Sequence, residues 1–374
     1  MKTNNIILHL SLISGVGPIL LSKLLAYYSV DQLNILYALT QSDFMHTIGL
    51  TEMQAQKIVA GLADKCLLEQ ELTLINKYNV QWITIADLQY SHLLKEIHMP
   101  PTVLYVHGSI ELCNQKNIAV VGSRKAAVYA ETIIQQLIPD LVSNKWTIVS
   151  GGAVGVDTMA HRAALKANGK TISIIGSGLL NTYPASNKKL FDQIVEDGGS
   201  IVSPFPLKTC AVPSNFPARN RIIAGLSRGC LVVQAAERSG AKITAQFALQ
   251  EGREVFAVPG PITDQLSKGC HQLIQQGAKL VQTSNDILAE FGEEKEYEEK
   301  AVIPAQMQIT EKNIQNKEQT IEDLILKHCT KPQSVDDLIE LIGQDLFSTQ
   351  ALLFDLQLAG KIYQDLSGLW IAQK

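Results

Sequence analysis

Between residues 118 and 281 short apolar runs alternate with stretches of helical spacing, and this regularity narrows the possible folds more than any other feature of the chain. Strands are expected at Ile118–Val121, Thr147–Ser150, Thr171–Ile175, Ile201–Ser203, Cys230–Gln234, Glu254–Val258 and Lys279–Val281. Helices are expected between most of them, at Ala127–Leu141, Thr158–Asn168, Asn187–Glu196, Asn220–Leu226, Ala241–Gln250 and His271–Gln276. Strands that are apolar and β-branched without polar alternation are buried on both faces, which requires helices above and below a parallel sheet. The fold class that follows is α/β, with a central doubly wound, mostly parallel Rossmann-like sheet.

The flanking segments read differently. Residues 1–70 are short helices: Leu10, Leu12 and Ile13 lead into Gly15-Val16-Gly17-Pro18, after which Leu20, Leu21, Leu24 and Leu25 recur at helical spacing. Ile48-Gly49-Leu50-Thr51 is a weaker second copy. Apolar–Gly–apolar between helices is the helix-hairpin-helix pattern, in which backbone N–H groups can face a phosphate. The same turns also serve plain packing in a small helical domain, and few basic residues flank them. Residues 71–291 form the extended α/β region, opened by a strand at Val80–Ile85 and a loop from Met99 that runs into another at Tyr105. Residues 292–319, rich in Glu, Lys, Gln and Asn, read as a linker. Residues 320–374 give three helices, then Gly360-Lys361-Ile362-Tyr363, a turn at Gly368 and Leu369-Trp370-Ile371, which is a winged-helix pattern.

Composition excludes several classes. The N-terminus lacks a long apolar region and a small-residue cleavage site, so no signal peptide is expected, and no uninterrupted apolar run approaches a membrane span. The six cysteines are scattered, without a CxxC pair or zinc-ligand spacing. They read as free thiols in a reducing compartment, the cytoplasm. A formal net charge of −4 gives no general sign of nucleic-acid binding, but affinity for phosphates follows the local field.

That local field appears at the strand-to-helix turns, where ligands of doubly wound sheets sit. Gly122-Ser123-Arg124-Lys125 follows the first strand and Ser150-Gly151-Gly152-Ala153-Val154-Gly155 the second. Both present bare amides at a helix N-terminus. Neither is a full GxGxxG, and no acidic residue ends the second strand to hold a ribose, so dinucleotide binding is poorly supported. From Lys208 to Arg253 there are seven basic residues (Lys208, Arg219, Arg221, Arg228, Arg238, Lys242, Arg253) against two acidic ones. Phe216-Pro217-Ala218-Arg219-Asn220-Arg221 opens one helix and Arg238-Ser239-Gly240-Ala241-Lys242 another. Cations at helix N-termini oppose the helix dipole unless an anion is present. With one aromatic beside them they make a track for consecutive phosphates and a stacked base, in preference to a merely solvated basic face.

Catalytic alternatives are weak. Asp157 and His161 lie four apart after Ser150, but such a pair is commonly an N-cap and a packed histidine, and Ser150 lacks a nucleophile-elbow context. Neither paired carboxylates nor a metal-ligand cluster is seen. No cofactor is expected.

At these residues the chain resembles the DNA-processing protein A family (DprA, also called Smf). The resemblance runs through Val120 to Arg124, Ser150 to Asp157, His161 to Leu165, Gly176 to Pro184, Phe216 to Ser227, Arg238 to Ala245 and Gly252 to Gly260, about half the chain. It implies a non-enzymatic factor of DNA uptake and recombination in natural transformation. Such proteins bind and shield incoming single-stranded DNA, help load the RecA recombinase, and act as homodimers through the Rossmann-like domain. Carried over to this chain, the DNA pocket would use Gly122, Ser123, Arg124, Ser150, Gly151, Gly152, Phe216, Arg219, Asn220, Arg221 and Lys242. The chain departs from the family pattern at Ser203-Pro204 and Gln234, where carboxylates are usual, and at Ala241-Lys242 and His271.

The tail is acidic: from Thr320 to Lys374 eight acidic residues stand against four basic ones. A winged helix gripping DNA should be basic, so a protein-contact role is expected there. The competing reading of the sheet is a Rossmann-type enzyme on a nucleotide or phosphorylated sugar, like the phosphoribohydrolases. Those carry a PGGxGT loop, where this chain has Pro259-Gly260-Pro261. A winged-helix regulator with a sensor domain is a third reading, against which the acidic tail speaks.

Overall fold

The computed structural model describes residues 2–292, 321–343, 346–365 and 369–373. The linker expected at 292–319 lies, but for Gly292, outside them, as does the turn at Gly368. Among the described residues the chain opens with α1 (Thr3–Leu12), α2 (Pro18–Tyr27), α3 (Gln41–Ile48), α4 (Glu52–Ala63) and α5 (Lys65–Lys77). Thr40 and Thr51 cap α3 and α4 through reciprocal capping boxes with Asp43 and Gln54.

The sheet region follows as β1 (Gln81–Thr84), α6 (His92–Lys95), β2 (Val103–Gly108), β3 (Asn117–Gly122), α7 (Val128–Ser143), β4 (Thr147–Ser150) and α8 (Val156–Lys166). It continues with β5 (Thr171–Ile174), α9 (Lys188–Glu196), β6 (Ser200–Ser203), α10 (Asn215–Gly225), β7 (Gly229–Gln234) and α11 (Gly240–Gln250). β8 (Glu254–Ala257), α12 (Lys268–Gln275), β9 (Lys279–Leu280) and α13 (Ser284–Leu288) complete it. α10 begins five residues before the expected Asn220. Pro217 falls in its first turn, where the missing N–H has no helical partner to lose.

The nine strands lie in the order β1-β2-β6-β5-β4-β3-β7-β8-β9. From β3 to β9 all neighbours are parallel, while β2 joins β6 antiparallel and β1 caps that edge. The chain winds outward from β3 through β4, β5 and β6, then returns to the other side of β3 to lay down β7. Crossovers on both sides of β3 open a crevice at the carboxyl ends of β3 and β7, the topological switch point.

Period-2 alternation puts Ile118 and Val120 of β3 with α7 and α8, and Ala119 and Val121 with the opposite layer of α10 and α11. Each fully buried aliphatic chain of these layers contributes about 1.5–3 kcal/mol. The N-terminal helices are not a separate body. Leu8, Leu24 and Ile58 share one core with Val103, Tyr105 and Leu207 of the antiparallel edge. The helices and the sheet form one compact unit, described as far as Gly292.

In the second unit α14 (Ile321–His328), α15 (Val335–Ile342) and α16 (Leu346–Leu358) are followed by an antiparallel pair, β10 (Ile362–Gln364) and β11 (Trp370–Ala372). Ile325, Leu338, Leu353 and Trp370 are among its core residues. No helix among the described residues is long and apolar enough to cross a membrane.

A buried polar contact clamps the helices to the loop after β6. The buried Glu71 of α5 accepts the Leu207 N–H at 2.8 Å. In Glu71→Ala that N–H is left buried without an acceptor, and the unfolding free energy falls by about 1–3 kcal/mol. Glu71→Gln keeps an acceptor oxygen and loses less; chemical denaturation of the two variants measures the difference.

Candidate functional site

Three turns meet at the switch point. At the end of β3, a Cβ on Gly122 would lie 2.6 Å from Val156 Cγ2 and 2.9 Å from the Gln234 carbonyl oxygen. Only glycine lets α8 and β7 approach so closely. The Ser123 N–H donates to the Gln234 carbonyl at 2.7 Å, and the Ser123 hydroxyl accepts the Lys125 N–H at 3.0 Å. With the backbone held this way, the side chains of Arg124 and Lys125 stand exposed at the mouth of the crevice.

The second turn, after β4, is organised by Asp157 in the first turn of α8. Its Oδ2 accepts the N–H groups of Gly151 and Ala153, both at 3.2 Å. Arg219 reaches over from α10 and donates through Nη1 to the carbonyls of Gly151 and Ile174 and through Nε to Asn220 Oδ1. A Cβ on Gly151 would fall 2.5 Å from Arg219 Nη1 and 2.7 Å from Asp157 Oδ2, so the pair excludes any side chain there. Arg219 is only 4% exposed, and burial pulls its guanidinium down to about 10 despite the Asp157 carboxylate beside it. Burial likewise raises the Asp157 carboxyl, against the opposing pull of Arg219 and the backbone donors.

One turn before Arg219, Phe216 supplies an aromatic floor. The Arg124 guanidinium lies over its ring at 5.5 Å, Arg219 at 5.9 Å, and the half-exposed Tyr183 packs against it at 5.8 Å with a 57° tilt. A cation on an aromatic face is worth about 0.5–1 kcal/mol at an exposed site.

The third turn follows β7, where Ser239 caps α11 and accepts the Ala241 N–H. Arg238, Ser239 and Gly240 close the far wall of a cleft of about 480 Å³. A recess of about 100 Å³ adjoins it, sharing Arg124, Phe216 and Arg219 and adding Tyr183 and Pro184.

Of the residues expected from the sequence, Gly122, Ser123, Arg124, Phe216, Arg219 and Asn220 line the cleft, and Gly151 lines the recess. The others are spent elsewhere. The Ser150 hydroxyl is fully buried and donates to the Val120 carbonyl at 2.6 Å, bonding one strand to the next. Gly152 is turned inward, its carbonyl accepting from Asn187 Nδ2 at 2.9 Å. Lys242 Nζ donates to Gln272 Oε1 at 2.6 Å and to the Glu237 carbonyl at 3.1 Å. Arg221 follows Arg219 by two residues, about 200° around the helix, and lines a groove on the other flank of α10.

Lys125 and Arg238, absent from the pocket that the resemblance implies, also line the cleft. Both are exposed in the cleft, and neither side chain has a hydrogen-bond or ion-pair partner among the described residues. Their signal was available: each lies a few residues beyond the end of a parallel strand, and Arg238 stands inside the basic cluster already counted.

Ser150, Asp157 and His161 do not form a relay. His161 Nδ1 lies 2.7 Å from Thr171 Oγ1, whose own proton goes to the Ile148 carbonyl, so Nδ1 is the protonated nitrogen. Burial, with Arg219 nearby, pushes the imidazole from its ordinary 6.5 down to about 3. His161 is a neutral core residue. Among the described residues no group of His, Cys, Asp and Glu is placed to hold a metal ion.

Comparison with known proteins gives a consistent set of likenesses. Residues 81–292 match the family model described as DNA recombination-mediator protein A. The DNA processing protein DprA of Streptococcus pneumoniae is 47% identical over 208 residues, 56% of this chain and 73% of that protein. Protein Smf of Synechocystis is 31% identical over 95% of both chains. Among solved structures, DNA processing protein A from Streptococcus pneumoniae superimposes with a TM-score of 0.68 at 38% identity, covering 78% of this chain and 99% of that one. A structure of DNA processing protein A from Helicobacter pylori, described for its single-stranded DNA binding mode, gives 0.51 at 27% identity, covering 56% and 95%.

The depressed imidazole sets a pH dependence. Between pH 6.5 and about 3 the unfolded chain carries a proton on residue 161 that the folded chain refuses. Stability therefore falls as pH falls through that window, with a slope of at most about 1.4 kcal/mol per pH unit from this group. His161→Asn removes that contribution, and urea titrations across the window show a flatter profile for the variant than for the parent.

Proposed function

Because the chain belongs to the DNA recombination-mediator protein A family, we propose that it binds single-stranded DNA in the cleft between the carboxyl ends of β3 and β7. The observation that carries this reading is the arrangement at the mouth of the cleft. Three exposed cations, Arg124, Lys125 and Arg238, line the same cleft as the ring of Phe216, with Arg124 laid over its face. Cations spaced along a groove follow successive phosphates, and an aromatic face accepts a base of any sequence, which is the chemistry of sequence-tolerant single-strand binding.

Within this reading Arg124, Lys125 and Arg238 contact phosphates, and Phe216 with Tyr183 stacks on bases. Gly122, Ser123, Gly151 and Asn220 shape the floor. Arg219 acts from below by holding the Gly151 turn against α10. Ser150, Gly152 and Lys242 support neighbouring structure. The protein works without cofactor or chemical turnover in the cytoplasm, as a homodimer, shielding incoming strands during DNA uptake and helping to load the RecA recombinase on them.

Fluorescence anisotropy of a labelled oligothymidylate, titrated at several salt concentrations, tests the assignment. Arg124→Glu and Arg238→Glu should each weaken binding and make the slope of log K against log salt shallower by about 0.7 for each phosphate no longer neutralised. Lys242→Gln, whose ammonium is already engaged, should change the slope less. Unchanged binding in Arg124→Glu, or tighter binding of a mononucleotide than of the oligonucleotide, would return the cleft to the nucleotide-enzyme reading.

A further inference from the structure

The first unit has a second hollow apart from the cleft. A groove of about 700 Å³ runs on the other flank of α10, between that helix, the turn that opens α2 and the loop after β6. Its walls are mostly aliphatic or proline, with Val16, Ile19, Val103, Phe205 and Ile222 prominent among them. Ile19, which lines the groove, is 57% exposed and so open to a ligand seated there. A further hollow shares Met99, Ala218 and Arg221 with the groove and extends toward α11.

The charges in this groove have one sign. Lys23 and Arg221 line it and no carboxylate does. The Lys23 ammonium is exposed and has no partner among the described residues. Arg221 Nε is buried without a hydrogen-bond partner. The carboxylate closest in influence to Arg221, Glu251, is engaged by the His98 N–H at 2.8 Å and makes no ion pair with it. A guanidinium drawn into an apolar wall with an unmet N–H favours an anion that can displace its remaining water.

We propose that this groove is a docking site for an acidic, apolar peptide segment of a partner protein, its apolar side chains against Val16, Ile19 and Phe205 and a carboxylate on Arg221. A nucleic acid fits it less well. Two cations and one partly exposed aromatic ring are too few for a phosphate track with stacked bases, whereas one carboxylate and a few apolar side chains match the walls. A cavity of this size lies within the range that holds a compact ligand or a short peptide stretch. The site stands independently of the single-strand assignment. It shares α10 with the cleft but no lining residue, since the two use opposite flanks of that helix.

Panning a phage-displayed library of random dodecapeptides against the full chain tests the proposal. Enriched sequences should combine carboxylates with large apolar residues. As synthetic peptides they should bind the full chain and lose at least about tenfold in affinity to Arg221→Glu and to Ile19→Asp. Both variants should keep the parent's melting temperature within a few degrees, and Arg124→Glu should bind the peptides like the parent. Enrichment of basic sequences, or binding indifferent to Arg221→Glu and Ile19→Asp, overturns the proposal. So does a loss of oligothymidylate binding in Arg221→Glu equal to that in Arg124→Glu, which would make the groove a nucleic-acid surface instead.

Discussion

The cleft depends on one buried charge. Arg219 ties the carbonyls of Gly151 and Ile174, at the ends of β4 and β5, to α10, and Asp157 answers it from the first turn of α8. Taking two ions out of water costs several kcal/mol each, and the cost is offset only when the geometry supplies counter-charge and further hydrogen bonds. Here it does. Asp157 takes two backbone N–H groups as well, so the turn after β4, the start of α8 and the middle of α10 are fixed by the same few atoms. Gly151 is the sequence's concession to that pair. Phe216, one helical turn from Arg219, inherits its position from the same anchor, and Arg124 in turn lies on Phe216.

The anchor also explains how one helix serves two surfaces. With Arg219 directed into the molecule, Phe216, Asn220 and Ile223 face the cleft, while Ala218, Arg221 and Ile222 face the groove under the N-terminal helices. A rotation of α10 would disturb both walls at once, and the buried hydrogen bonds from Arg219 to the Gly151 and Ile174 carbonyls resist that rotation. The packing of α2 and the loop after β6 onto the same region through Tyr105 and Leu207 makes the helical segment part of the scaffold. That is why a boundary near residue 70, natural in the sequence where helices give way to strands, does not correspond to a break in packing.

Much of this was legible beforehand for a simple reason. Strands buried on both faces must be apolar throughout, so Ile118–Val121 and Cys230–Gln234 announced themselves, and the strand ends then located the turns. What the sequence could not carry was direction. A count of basic residues treats Arg219, Arg221, Arg238 and Lys242 alike, yet one is a buried pin, one lies on the far flank, one is a free cation and one is held by Gln272. The 3.6-residue period separates Arg219 from Arg221 once one of them is placed, but nothing local says which faces the cleft. Ser150 misled for a related reason. In a turn rich in glycine its hydroxyl reads as a ligand, whereas the last residue of a parallel strand can equally bond the neighbouring strand, as it does to Val120.

Direction matters for the electrostatics as well. The chain carries a formal charge of −4, which taken alone argues against a polyanionic partner. Charges beyond about 8 Å are largely screened at physiological ionic strength, so an approaching phosphate responds to the residues that line the cleft. Those are Arg124, Lys125, Arg219 and Arg238 against Asp157. Asp157 and Arg219 largely cancel each other below the surface, and three exposed cations remain without a carboxylate among them. The buried pair thus separates two tasks that the basic cluster in the sequence had merged. It spends one arginine on architecture and, by taking up the one acid of the cleft, leaves the field at its mouth uniformly positive.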